Sequence, residues 1–326
     1  MFLESRMMFI YVETPLHAGA GAGVEAIDLP IQRERTTGFP MVQAPGIKGA
    51  LRSEVKDGRK GSEDEFVKAV FGANAGDANL FAGAFSPGDA RLLLFPVRSL
   101  KGVFAWTTCL GTLQRWRREA LAAGFDESKL PKLPATAPAE SECYTSGDGA
   151  VVDGTVVLEE FAFKKLNGGQ GSETVARLAG WLATNALPAG DEFQWWRAGL
   201  QARLIVLSDD DFRDFTLHAT EVLTRIRLEN DTKTVARGQL WTEEHLPPES
   251  LLYAPARATR LRVDNGSKPD GLKGDGTATG EAAAVLDWVG DAANIPHRFQ
   301  LGGDETVGRG LVSVRWLKAA DAQEVK

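Results

Sequence analysis

A near-continuous apolar run at 8–13, Met-Phe-Ile-Tyr-Val closed by Glu13, predicts a buried first strand. Residues 14–44 lose all sustained period, and their many Gly, Pro and Thr residues predict a long irregular excursion, the kind of loop that carries function in a compact protein. Pro45 and Gly46 open a helix over 46–57. In it Ile47, Leu51 and Val55 recur every four residues as a core-facing stripe, with Lys48, Arg52 and Lys56 beside them as a cationic one. The pattern continues with a short helix at 63–71, strands at 91–98 and 103–109, a helix at 113–123, a strand at 151–163 and a helix at 172–186. A strand at 202–207 precedes a helix reaching 219, capped by Ser208 and opened by three aspartates. Strands at 223–228 and 250–254, a helix at 281–289 and strands at 299–301 and 311–316 complete the set. Residues 126–150, dense in Pro, Ala, Glu and Ser, predict a surface linker or insertion, and 264–280 a mobile loop. Strand–helix–strand–strand order, repeated with insertions, predicts an α+β protein built on ferredoxin-like halves.

With 43% hydrophobic and 25% charged residues, a chain of 326 residues can bury a sizeable core. The net charge of −7 argues against a freestanding nucleic-acid binder, which is usually basic. Charge is unevenly distributed, however. Residues 31–60 carry Arg33, Arg35, Lys48, Arg52, Lys56, Arg59 and Lys60 against Glu34, Glu54 and Asp57, and Arg225, Arg227, Lys233 and Arg237 form a second basic stretch. Salt confines each charge to about 10 Å, so a positive track on an acidic body still binds phosphates. No apolar run approaches the ~20 residues of a membrane span, and the start carries no signal-peptide pattern. Cys109 and Cys143, with no CxxC, suit a reducing cytoplasm.

Two glycine-dense loops beside apolar strands carry the candidate chemistry: Leu16-His17-Ala18-Gly19-Ala20-Gly21 and the stretch 301–310, with Gly302, Gly303, Thr306, Gly308 and Arg309. Such loops lay backbone N–H groups against an anionic polymer. Together with the Lys48 and Arg52 face they point to RNA, and His17 offers an acid or a phosphate ligand. Gly21-Ala22-Gly23-Val24-Glu25-Ala26 formally fits a dinucleotide fingerprint, but Pro30 leaves no room for the helix that fingerprint needs. Walker A, HExxH and GxSxG signatures are absent, so common ATPase, zinc-protease and acyl-transfer chemistries have no anchor here.

Nearly the whole chain resembles the RAMP superfamily of CRISPR-associated proteins, most of all the fourth (backbone) subunits of type III-B Cmr effector complexes. The resemblance rests on Ile27-Asp28-Leu29-Pro30-Ile31-Gln32-Arg33-Glu34, on Gly46-Ile47-Lys48-Gly49-Ala50-Leu51-Arg52, and on Glu243-Glu244-His245-Leu246-Pro247-Pro248-Glu249-Ser250-Leu251-Leu252-Tyr253. The loop 302–310 completes it. Gly46 departs from the serine usual at that place. The resemblance implies a single hand-shaped domain with an RRM-like palm built from 1–16, 46–60, 88–125, 150–228 and 281–326. It further implies an active-site loop at 17–44, inserted fingers and a β-hairpin thumb at about 230–260. Copies of such subunits stack along a guide crRNA, with other Cmr subunits including a large Cas10-type one. Complementary single-stranded target RNA is cut wherever a thumb kinks it. Asp28 matches the catalytic aspartate, accepting the 2′-OH proton or holding Mg²⁺ or Mn²⁺. Lys48, Arg52 and the 302–310 loop are expected to hold RNA, Trp241 and Leu246 to wedge at the displaced base, and Glu249 and Tyr253 to assist at the cut. A non-catalytic RNA-binding backbone and a guide-processing endoribonuclease remain open alternatives.

Overall fold

The computed structural model of the protein describes residues 1–23, 26–55, 65–73, 81–166, 170–263 and 268–324. Strand β1 (Glu4–Val12) is apolar on both faces, and its alternation splits the core. Met8, Ile10 and Val12 join one cluster, while Met7, Phe9 and Tyr11 join the other. The chain continues through β2 (Met41–Val42), α1 (Ala44–Ser53), α2 (Glu65–Phe71), β3 (Phe85–Pro87), β4 (Ala90–Arg98), β5 (Phe104–Cys109), α3 (Leu110–Ala122), β6 (Glu142–Thr145), β7 (Val151–Val152), β8 (Thr155–Leu158) and β9 (Phe161–Lys165). After these come α4 (Gln170–Asn185), α5 (Gln194–Arg203), β10 (Leu204–Leu207), α6 (Asp209–His218), β11 (Glu221–Leu228), β12 (Val235–His245), β13 (Leu251–Ala258), α7 (Ala278–Val289), β14 (Arg298–Gln300) and β15 (Leu311–Leu317).

Thirteen strands join one mixed sheet in the order β14-β15-β1-β13-β4-β5-β10-β6-β9-β8-β7, with β2 on β4 and β3 on β13. The first cluster lies on one face under Ile47, Leu51, Val70, Phe212 and Leu286, from α1, α2, α6 and α7. The second packs Trp116, Leu178, Trp181, Leu182 and Leu200, from α3, α4 and α5, against the other face. Outside the sheet, β11 and β12 form a two-stranded antiparallel hairpin.

Several expectations are corrected. The helix expected at 46–57 runs from Ala44 to Ser53, since Pro45 fits the first turn, where its missing N–H has no helical partner; residues 56–57 lie outside the described residues. The expected linker at 126–150 supplies β6, which pairs with both β10 and β9 and buries Cys143 completely. The single strand expected at 151–163 is three strands. Asp153 (φ 48°) and Gly154 (φ 77°) form the two-residue turn between β7 and β8, as an Asp-Gly pair between alternating residues favours. Helix α5 had no counterpart in the expectations. Residues 250–260, expected in the thumb, are mostly β13, held between β1 and β4 in the sheet centre. In the expected mobile loop 264–280, residues 264–267 lie outside the described residues, and the remainder is anchored by fully buried Leu272 and by Thr277, which caps α7. The Ser208 cap holds: its Oγ accepts from the Asp211 N–H.

Candidate active site

The root of the β11–β12 hairpin organises the site. Residues 28–31 lie alongside β12, with the Leu29 N–H donating to Thr242 O (3.0 Å) and the Glu244 N–H to Leu29 O (3.0 Å). Glu244, 2% exposed, anchors the loop from within. Its carboxylate accepts from the Ile31 N–H (3.0 Å) and Thr220 Oγ1 (2.7 Å), and pairs with the Arg33 guanidinium. Arg33 in turn donates to Gly38 O (2.7 Å) and Thr216 O (2.9 Å). This buried network holds irregular backbone in one conformation.

Asp28 is thereby fixed at the surface. Its Oδ2 accepts from both the Thr242 N–H (2.8 Å) and Thr242 Oγ1 (3.0 Å), while its own N–H donates to that hydroxyl oxygen (3.0 Å). Those donors, backbone first, hold its carboxyl below the ordinary aspartate pKa, so the exposed group is a stable anion. Two residues further along β12, about 7 Å by strand geometry, the Glu244 carbonyl meets His17 Nδ1 at 2.8 Å. A carbonyl only accepts, so Nδ1 carries the proton and Nε2 faces outward from that bond. Gly19 makes room for the ring: a Cβ there would come 2.8 Å from Nε2.

The terminal glycine loop closes on the same place. The Gly303 N–H donates to His17 O (2.9 Å) and the Gly310 N–H to Pro15 O (2.9 Å). Gly310 has φ +71°, and a Cβ there would lie 2.0 Å from Leu301 O. The N–H groups of Gly308 and Arg309 donate to Glu305 O and Asp304 O. The expectation that this loop turns these N–H groups toward a phosphate chain is therefore corrected for Gly303, Gly308, Arg309 and Gly310, which bond within the protein. Gly302 and Thr306 are exposed, and the Arg309 side chain lies near Glu221 and His245.

With these contacts in place, the sequence profile of the RAMP superfamily matches residues 9–313. The chain belongs to that superfamily. The RAMP chain is similar to the CRISPR system Cmr endoribonuclease Cmr4 of Pyrococcus furiosus, with 34% identity over 315 residues, 96% of this chain and 95% of that one. It is also similar to the CMR subunit Cmr4 of Saccharolobus solfataricus, at 26% identity over 95% of each chain. The crystal structure of oligomeric Cmr4 from P. furiosus superposes with a TM-score of 0.67 at 28% identity, covering 97% of this chain and 98% of that one. A chain of the type III-B Cmr-beta complex bound to cognate target RNA shares the fold, with a TM-score of 0.68 at 20% identity, over 98% and 99% of the two chains.

Within this RAMP fold the remaining expected residues separate. Lys48 and Arg52 share a face of α1 with Arg262 nearby, and burial together with these two cations lowers the Lys48 pKa. Arg52 also donates to Gly72 O (3.1 Å). Trp241 is half-buried on β12, its Nε1 donating to Glu243 Oε1 (2.7 Å). Leu246 is no wedge: it is 2% exposed and bridged to Leu16. Tyr253 is fully buried in β13, where no base reaches it, and Glu249 lies in the turn between β12 and β13, its N–H donating to Val12 O (2.8 Å). Thr242, Glu244 and Arg33 position the site and were missed as site residues. Their signal was a Thr-Glu-Glu-His run at a strand end, where consecutive buried acids require internal partners.

A divalent ion at Asp28 has one carboxylate to bind, with Oδ2 already taken by Thr242. Asp28 Oδ1 would be the carboxylate oxygen left to hold such an ion; a single protein ligand suits Mg²⁺ better than an all-protein cage would, and the ion would supply charge neutralisation there. Among the described residues no helix is long and apolar enough to cross a membrane.

Proposed function

We propose that this chain is the repeated backbone subunit of a type III-B CRISPR ribonucleoprotein, which binds guide crRNA and cuts complementary single-stranded target RNA at regular intervals. The observation that carries this reading is a solvent-facing Asp28, its carboxylate favoured by the Thr242 donors and locked at the root of a projecting hairpin. That hairpin bares an apolar face. Val222, Ile226, Leu228, Val235 and Leu240 are 46–63% exposed, and Ile226 pairs with Leu240 and Leu228 with Val235 in the ladder. In this reading the sheet is the ferredoxin-like palm and β11–β12 the thumb, its apolar residues unstacking a base and kinking the strand. The assembly contains further copies of the chain and other Cmr subunits, and works in the cytoplasm, where both thiols stay reduced. The name of the P. furiosus relative, an endoribonuclease, and its oligomeric crystal structure support the same reading.

RNA carries its own nucleophile. A regular helix holds the 2′-OH out of line with phosphorus and the departing 5′-oxygen, and a kink supplies the alignment, a proximity effect worth several kcal/mol. Asp28 accepts the 2′-OH hydrogen bond and takes its proton as the new O–P bond forms. Its low pKa makes it a weak base, so positioning and charge carry more of the effect than basicity. His17, oriented through Glu244 O, presents Nε2 and in its imidazolium form donates a proton to the leaving 5′-oxygen. A bound Mg²⁺ or Mn²⁺ supplies charge neutralisation at the phosphate. In a reconstituted guide-loaded complex, Asp28→Ala is expected to lower target cutting at least about 100-fold while assembly and RNA binding persist. Undiminished cutting would refute the assignment, and a parent complex that binds target without cutting it would make the chain a non-catalytic backbone.

A further inference from the structure

Behind the exposed site, the base of β12 and the terminal glycine loop enclose a second group of donors that the cutting reaction does not use. His245 is fully buried, yet neither ring nitrogen has a hydrogen-bond partner. Its Nε2 lies 3.5 Å from Asp304 Oδ2, which is likewise buried and unpartnered. Glu243, 4% exposed, leaves Oε2 without a hydrogen bond. One donor atom from each of Glu243, His245 and Asp304 lies within 4.8 Å of the others. A buried imidazole without a hydrogen bond at either nitrogen leaves polar atoms desolvated and uncompensated, and so points to a missing partner. The carboxylates beside it, Glu243 with Arg225 Nε 3.5 Å from its Oε2 and Asp304 with His245 Nε2 3.5 Å from its Oδ2, give that partner a positive charge.

We infer that Glu243, His245 and Asp304 form a site for a divalent first-row transition ion. The Nε2–Oδ2 separation of 3.5 Å is the edge expected for two ligands each about 2.1 Å from a common tetrahedral centre. One imidazole and two carboxylates suit Zn²⁺ or Mn²⁺ better than Mg²⁺, which prefers an all-oxygen octahedron. The Asp304 side chain is 22% exposed and gives an entry path from solvent. Positive neighbours temper the affinity: Arg225 Nε approaches Glu243 Oε2 to 3.5 Å, and Arg309 lies near His245. The ion ties the hairpin root to the loop before β15, beside His17, whose ring centroid is 5.5 Å from that of His245. It thus acts as a staple setting the hairpin's angle to the sheet.

The site is independent of the proposed cutting reaction, because metal uptake is read without RNA. The full chain, stripped with chelator and desalted, is titrated calorimetrically with ZnCl₂, MnCl₂ or MgCl₂, and bound metal is counted by elemental analysis. One equivalent of Zn²⁺ or Mn²⁺ is expected, bound at least about tenfold more tightly than Mg²⁺. Asp304→Asn and Glu243→Gln are each expected to weaken it at least about tenfold and to abolish the metal-dependent rise in melting temperature. Asp304 has φ +62°, a conformation Asn also tolerates, so that variant keeps the loop. Asp28→Asn should bind the ion as the parent does. Failure of Zn²⁺ and Mn²⁺ to bind at about 1 mM, binding unchanged in both ligand variants, or tighter binding of Mg²⁺ would each overturn the proposal.

Discussion

Asp28 and Glu249 are carboxylates with opposite electrostatic fates. Two donors from Thr242 stabilise the anion of Asp28, whereas Glu249 is pushed up to about 7 by desolvation, with Oε2 buried and unpartnered. The Glu249 backbone is constrained as well, with φ +71° and its carbonyl accepting from Trp106 Nε1 (2.8 Å). A folded-state pKa above the ordinary 4.5 means that the native state holds the proton more tightly than the unfolded chain. This contribution is therefore fully present below about pH 4.5 and lost as pH rises through about 7. Glu249→Gln keeps the shape and removes the charge. Relative to the parent it should gain roughly 1–2 kcal/mol at pH 8 and little at pH 5, measured by urea denaturation at the two pH values.

The hairpin shows how strand alternation divides labour within one element. Along β11 and β12 one face carries Ile226 and Leu240 into solvent, while at the root Glu243, Glu244, His245 and Leu246 are buried against the loops they organise. Apolar character alone does not make a wedge. Leu246→Ala should cost about 2–4 kcal/mol of stability, as cavities in packed cores do, because the residue is 2% exposed. Leu240→Ser, at a site 63% exposed, should leave stability within about 0.5 kcal/mol. The same change should slow target cutting or blur the spacing of its products. Denaturation midpoints and product mapping from the guide-loaded complex distinguish the two.

For the molecule taken whole, a net charge of −7 and a polyanionic ligand are compatible only if cations are gathered locally. Lys48, Arg52 and Arg262 repel one another on one surface, and no carboxylate pairs with Lys48 among the described residues. Arg52 also supports the Gly72 carbonyl, so changing it would disturb packing as well as charge. Lys48 is the cleaner probe. Lys48→Ala should weaken guide RNA binding uniformly across sequences and reduce the slope of log K against log salt by about 0.7, one phosphate contact on a single strand. Filter binding across a salt series reads that slope.

Periodicity and short motifs were enough for β1, α1, the Ser208 cap and the outline of the superfamily, because each depends on neighbours within a few residues. Asp28, His17 and Lys48 could be singled out as candidates for a related reason: their loops and helix face are written contiguously, and the roles given to them are proposals. The buried contacts of Glu244, His245 and Asp304, the burial of Leu246 and Tyr253, and the inward bonding of the terminal glycine loop were not legible that way. Their partners lie dozens to hundreds of positions away, as Ile31 does from Glu244, His17 from Gly303 and Leu16 from Leu246. Only the folded sheet brings these groups together. Whether a polar atom meets a donor, a cation or nothing depends on that distant company, which local pattern does not encode.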